Sequence, residues 1–233
     1  MLGQIKSIHT PIIIVNFKTY LEATGKRGVE LARVADQVSK DSGVTIAVAP
    51  QFTDLKTVVE EVEIPVFSQH IDPIKPGAFT GHILIDAVKA AGASATLVNH
   101  SEKRIEISEI KEVLSLARSS DLATLVCVET AEAGAAVASL SPDMIAIEPP
   151  DLIGTGIAVS KARPELITHA IQQIRLVNKS SEILCGAGVS TAGDVGKALQ
   201  LGTSGVLVAS SVVKGRNPGQ LLEEMTDEIL RSK

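Results

Sequence analysis

Three residues of this chain would move a proton if folding gathered them: Lys18, His100 and Glu148. Each closes or follows a short apolar run. Lys18 comes after Ile12-Ile13-Ile14-Val15-Asn16-Phe17, His100 after Ala95–Asn99, and Glu148 after Met144–Ile147. One ammonium, one imidazole and one carboxylate form a compact acid–base set. Similar run ends carry Asn16, Gln69 with His70, and Ser101 with Glu102. Two more carry small residues, Gly186-Ala187-Gly188 and Ala209-Ser210, which let backbone N–H groups approach a phosphate. Taken singly, each has a plainer explanation. His100 fits a core imidazole satisfied by backbone, Lys18 a solvated loop lysine, and Gly186 and Gly188 ordinary turn residues. Glu148 fits a salt bridge, although a carboxylate at an apolar strand tip is costly to leave unpaired. Their recurrence at the ends of separate runs favours a site.

Such a set needs a scaffold that brings run ends together. Eight runs rich in β-branched residues recur: Pro11–Asn16, Val44–Ala49, Ile64–Ser68, Ala95–Asn99, Ala123–Val128, Met144–Glu148, Glu182–Cys185 and Gly205–Ala209. They are nearly all apolar instead of alternating, which predicts strands covered on both faces, as in a parallel sheet. Between them apolar residues step by three and four. Leu31, Val34, Ala35 and Val38 do so, as do Ile107, Ile110, Val113, Leu114 and Ala117. Pro164 opens another helix, with Leu166, Ile167, Ala170, Ile171 and Ile174, and Leu221, Leu222, Met225, Ile229 and Leu230 form the last. Strand and helix alternate eight times over 233 residues. This predicts an α/β fold, a closed (β/α)8 barrel, with one domain spanning residues 1–233. A doubly wound open sheet is the alternative, but it usually carries a glycine-rich loop where this chain has Asn16-Phe17-Lys18. In a closed barrel, chemistry sits at the C-terminal ends of the strands, where the polar residues above lie.

Composition excludes several classes. Net charge is −5 and aromatic residues make up 2% with no Trp, which argues against a nucleic-acid partner. No apolar run approaches the ~20 residues that cross a bilayer. The first ten residues, with Lys6 and His9, do not read as a secretory signal. Cys127 and Cys185 both end apolar runs and read as buried thiols, pointing to a reducing, cytoplasmic location.

After Glu148 the sequence runs Pro149-Pro150-Asp151-Leu152-Ile153-Gly154-Thr155-Gly156. Stiff prolines at one end, glycines at the other and an apolar middle predict a lid that moves on hinges over the site. At these residues the chain resembles the triosephosphate isomerase family, in particular its shorter archaeal-type branch. Asn16-Phe17-Lys18 resembles the family's Asn-aromatic-Lys motif. Gln69 with Gly77-Ala78-Phe79-Thr80-Gly81 resembles its third loop, and His100-Ser101-Glu102-Lys103-Arg104 its His-Ser-Glu motif. Glu148-Pro149 through Gly156 resembles its lid, and the motifs extend in order to Ala209-Ser210. Asp151, Gly188 and Ala209-Ser210 stand where better-known bacterial and eukaryotic members carry Trp, Ser and Gly-Gly.

The resemblance implies interconversion of dihydroxyacetone phosphate and glyceraldehyde 3-phosphate, a step of glycolysis and gluconeogenesis. It makes Glu148 the base, neutral His100 the electrophile and Lys18 a fixed positive charge, with Glu102 supporting the charge network. Asn16 and Phe17 join the substrate-binding residues. The phosphate is expected on backbone N–H groups around Ile153, Gly154, Gly188, Ala209 and Ser210. No metal or organic cofactor is implied. The third loop, Asp72–His82 with Phe79 at its tip, inserts into a neighbouring subunit in the family. A homo-oligomer is therefore expected, a tetramer as in the short forms or otherwise a dimer. The alternatives are another phosphosugar isomerase and a non-catalytic phosphometabolite-binding barrel.

Overall fold

The apolar runs become strands whose two faces are both covered. The computed structural model describes residues 8–149, 158, 160 and 163–232. The strands are β1 (Ile12–Asn16), β2 (Thr45–Ala49), β3 (Phe67–Ser68), β4 (Ala95–Val98), β5 (Ala123–Val128), β6 (Met144–Ile147), β7 (Glu182–Cys185) and β8 (Gly205–Val208). All pairings are parallel, in the order β2-β1-β8-β7-β6-β5-β4-β3. A single bridge, Val48 to Val66, joins β2 to β3 and completes the ring.

The helices are α1 (Lys26–Ser42), α2 (Leu55–Glu61), α3 (Ile85–Ala90), α4 (Ile107–Ser119), α5 (Ala131–Ala138), α6 (Pro164–Val177), α7 (Ala192–Gln200), α8 (Ser210–Val213) and α9 (Pro218–Arg231). Their ends follow local chemistry. Proline opens α6 and α9, where its missing N–H costs nothing. Reciprocal capping boxes start α4 (Glu106 with Glu109) and α7 (Thr191 with Asp194). Gly43 ends α1 in the left-handed region that other residues avoid.

Period-two side-chain alternation divides the core. Ile12 and Ile14 of β1, Ala95 and Leu97 of β4, Leu125 and Cys127 of β5, Met144 and Ala146 of β6, Leu184 of β7 and Leu207 of β8 form one buried cluster. Their neighbours in sequence, such as Ile13, Val15, Val126, Ile145, Ile147 and Val206, pack in the other, with the helices. Most strand residues are thus apolar on both the barrel side and the helix side, with Ser68, Thr96 and Thr124 as buried polar exceptions, so the sequence shows little alternation.

β3 is shorter than the predicted Ile64–Ser68. Pro65 lacks the N–H a ladder needs; its carbonyl still accepts from Val48 N–H at 3.2 Å.

Candidate active site

Continuing the inward alternation to the end of each strand or one step past it places the next residues in the C-terminal mouth. From Ile12 and Ile14 the step reaches Asn16; from Met144 and Ala146, Glu148; from Leu184, Gly186; from Leu207, Ala209. Strand register alone therefore aims a carboxylate and an amide over the barrel axis, with small residues beside them.

Lys18 and His100 lie off this register and depend on backbone turns. Lys18 has φ 48° and Asn99, just before His100, has φ 58°, both left-handed and disfavoured for residues other than glycine. Neighbours hold both. The Lys18 N–H donates to Asn16 Oδ1 at 2.9 Å, and Gln69 Nε2 donates to the Lys18 carbonyl at 2.9 Å and the Ala49 carbonyl at 3.0 Å. Asn99 Nδ2 donates to the Cys127 carbonyl at 2.9 Å, and Asn99 Oδ1 accepts the Ile105 N–H at 3.1 Å. Fixed strain of this kind sets a side chain in place before substrate arrives.

His100 Nε2 faces Glu148 Oε1 at 3.5 Å. The backbone N–H of Glu102 donates to His100 Nδ1 at 3.2 Å. A ring nitrogen that accepts a hydrogen bond carries no proton, so this contact assigns a neutral imidazole with its proton on Nε2, toward the site. The Lys18 ammonium rests on Glu102 Oε1 at 2.7 Å. That leaves Glu102 at the rim, with Oε1 on Lys18, Oε2 3.7 Å from His100 Nδ1 and its amide on that same nitrogen.

Glu148 is 1% exposed. Its Oε2 has no hydrogen-bond partner among the described residues. Burial pushes its carboxyl above the ordinary value; His100, the Cys127 thiol, Lys18 and Arg104 pull it back in part. A desolvated, incompletely bonded carboxylate is a stronger base than a solvated one. Gly186 makes room for it: a Cβ there would stand 2.5 Å from Glu148 Cγ.

The other end of the site suits an anion. Gly188 has φ 71°. In the turn that starts α8, Val212 N–H donates to the Ala209 carbonyl at 3.1 Å. The N–H groups of Ser210 and Ser211 precede that bond and have no partner within the turn. Ser211 Oγ donates to the Val189 carbonyl at 3.2 Å and ties the loops after β7 and β8 together.

Asn16, Lys18, His100, Glu148, Gly188, Ala209 and Ser210 all line one cavity of about 60 Å³. It shares Asn16, Lys18 and His100 with a neighbouring cavity of about 350 Å³. A cavity of about 410 Å³ lies at the opposite mouth, but its Asp143 is already engaged by the N–H and Oγ of Thr124. Phe17 is separate: it is fully buried in the helix-side core and lines neither of the two mouth cavities. Pro149 is buried, whereas Pro150, Asp151, Leu152, Ile153, Gly154, Thr155 and Gly156 of the expected lid lie outside the described residues. Asn99, Cys127, Tyr20 and Ser211 support the site and are not among the expected site residues, although Asn99 stands at a strand end in the sequence and asparagine is a common non-glycine occupant of a left-handed turn.

Among the described residues, no group of three or more His, Cys, Asp or Glu side chains gathers as a metal site. No described helix is long and apolar enough to cross a membrane.

A buried carboxylate facing an imidazole is a pair suited to moving a proton next to a carbonyl, and it stands where barrels of this kind do their chemistry. The fold and site thus define a (β/α)8 enzyme acting on an anionic carbonyl compound. Comparison with known proteins narrows the class. The family model for triosephosphate isomerase matches residues 11–225. A triosephosphate isomerase of Methanocaldococcus jannaschii is 50% identical over 214 residues, 92% of this chain and 98% of its own. That of Methanothermus fervidus is 48% identical over 219 residues, 94% of this chain and 99% of its own. That of Methanosarcina barkeri is 47% identical over 215 residues, 92% and 97% respectively. The chain belongs to the triosephosphate isomerase family.

Proposed function

We infer that the mouth of this barrel interconverts dihydroxyacetone phosphate and glyceraldehyde 3-phosphate, as the family's isomerases do, with Glu148, His100 and Lys18 in the catalytic roles. Triosephosphate isomerases are themselves the standard example of a carboxylate base paired with a neutral imidazole, so these roles follow the family. The geometry supports each one. Glu148 removes a proton from the carbon beside the carbonyl. The His100 Nε2–H donates to the carbonyl oxygen, which becomes the enediolate oxygen, and a proton passes between the two oxygens. Glu148 then returns its proton to the neighbouring carbon, so no atom is gained or lost. Lys18 leaves Glu102 to stabilise negative charge on substrate. Asn16 orients the substrate, and the phosphate rests on the N–H groups at Gly188, Ala209 and Ser210.

One observation carries this reading: His100 Nδ1 accepts an N–H while Nε2 faces Glu148 at 3.5 Å. An imidazolium would have no such acceptor. The test is turnover of glyceraldehyde 3-phosphate in a coupled assay, run in D2O. Deuterium should enter the carbon beside the carbonyl with wild-type protein and fail to enter with Glu148→Gln.

The same proposal extends to assembly and setting. The third loop leaves Phe79 exposed at its tip, and the 350 Å³ cavity beside Lys18, Gln69 and Glu102 offers a second copy's loop a seat next to the site. This supports a homo-oligomer, a tetramer by analogy with the short forms. The whole chain, residues 1–233, acts as one barrel domain. Two free, buried thiols suit a reducing, cytoplasmic setting.

A further inference from the structure

Helix α8 is one turn long, and a single turn has little stability of its own. Its position comes from Val212 and Val213, which are buried in the helix-side core, and from what holds its two ends. At the start, Ser211 is tied to the loop after β7. At the far end, the Lys214 N–H donates to the Ser210 carbonyl at 2.9 Å, and the Lys214 ammonium lies over the ring of Tyr20, 4.1 Å from its centroid. Tyr20 is the sole tyrosine of the chain and sits two residues after Lys18. Its loop is fixed at several points. Tyr20 N–H donates to the Phe17 carbonyl at 3.3 Å, and the Tyr20 carbonyl accepts from Thr24 Oγ1 at 2.8 Å. Thr24 Oγ1 in turn accepts from Gln51 Nε2 at 2.7 Å. Tyr20 lines the small cavity with Glu148 and Ser210, while Lys214 lines an outer groove between α1 and α8.

We propose that Tyr20 and Lys214 are a positioning pair that clamps the phosphate-binding turn of α8 to the Lys18 loop. This rests on the phosphate site described above. The ring gives the ammonium a seat on a rigid loop, and the ammonium pins the end of the turn whose start presents N–H groups to the anion. Neither residue belongs to the Glu148, His100 and Lys18 set. Their contribution therefore falls on binding of the dianion and leaves the proton-transfer step alone.

The test compares Lys214→Met, Lys214→Arg, Tyr20→Leu and Tyr20→Phe. It measures KM and kcat for glyceraldehyde 3-phosphate and the inhibition constant of inorganic phosphate. Lys214 is exposed, so its replacement leaves folding intact. Lys214→Met and Tyr20→Leu should raise KM and the phosphate constant in parallel by about two- to fivefold, the strength of an exposed cation–π contact. kcat should stay unchanged, as for loss of uniform binding. Lys214→Arg and Tyr20→Phe keep a cation and a ring and should stay near wild type. The Lys214→Met, Tyr20→Leu double variant should be no worse than either single one. An unchanged phosphate constant in Lys214→Met, or a loss confined to kcat, overturns the clamp. Failure of phosphate to compete in the wild-type protein instead removes the phosphate site, and the clamp with it.

Discussion

Gly186→Ala tests whether the base is held as tightly as its surroundings imply. A Cβ at this position would meet Glu148 Cγ at 2.5 Å, Oε1 at 3.1 Å and Cδ at 3.2 Å, against the 3.4 Å at which ordinary contact begins. The nearest approach is short by about 0.9 Å. All three neighbours belong to Glu148, so the carboxylate is the group that must yield. It has no easy retreat, being 1% exposed with the Cys127 thiol beside it. Displacing a reacting group by about 1 Å costs about 10²-fold in rate, because proton transfer depends steeply on alignment. The expected result is therefore a kcat about 100-fold lower, with KM changed far less, since the phosphate end is untouched. The three nearest atoms to the added methyl all belong to the Glu148 side chain, so thermal melting should show the variant folded. The coupled isomerase assay with glyceraldehyde 3-phosphate reads the outcome. A folded Gly186→Ala protein with wild-type kcat would refute the claim that Glu148 is the base in this position.

Glu148→Gln should cost about 10²–10⁴-fold in turnover, the usual span for a general base, yet stabilise the fold. The folded chain keeps the Glu148 proton to higher pH than the unfolded chain does, so stability falls as pH rises from the ordinary 4.5 through the raised folded value. Thermal melts should therefore show Glu148→Gln gaining on wild type at pH 8 and losing that advantage below pH 4.5. Lys18→Ala should lower kcat/KM by about 10- to 100-fold, the worth of a hydrogen bond to a charged group, with both KM and kcat affected. The thiols should be inert: burial pushes Cys185 up to about 12 and, with Glu148 adding to it, Cys127 well above its ordinary value. A thiol reagent at pH 8 should label neither in the native protein and both in denaturant, counted by mass.

Much of the fold was legible because the signal is local. A barrel strand is apolar on both faces, so Ile12–Val15 and Met144–Ile147 stand out without any knowledge of their partners. Helix starts such as Pro164 are equally local. The limits of such reading have physical causes. Val66 and Phe67 look like the middle of a five-residue strand, yet Pro65 reduces the β2–β3 contact to one bridge. Phe17 sits inside a functional motif, but its side chain points to the helix-side core and away from the substrate cavity. Neighbours in sequence take opposite faces of a strand, and a motif does not reveal which face each one takes.

The sequence by itself determined which chemical groups this chain can offer, and that they fall at strand ends. Residue identity and a period of two or three-and-a-half are properties of the chain before it folds. Only the tertiary structure decided what those groups are able to do. The hydrogen bond onto His100 Nδ1 depends on an amide two residues away, the raised carboxyl of Glu148 on burial beside Gly186, and the seat of Lys214 on a ring nearly two hundred residues earlier. Each is a matter of distance and solvent exclusion between separate parts of the chain, and those exist only once the barrel has closed.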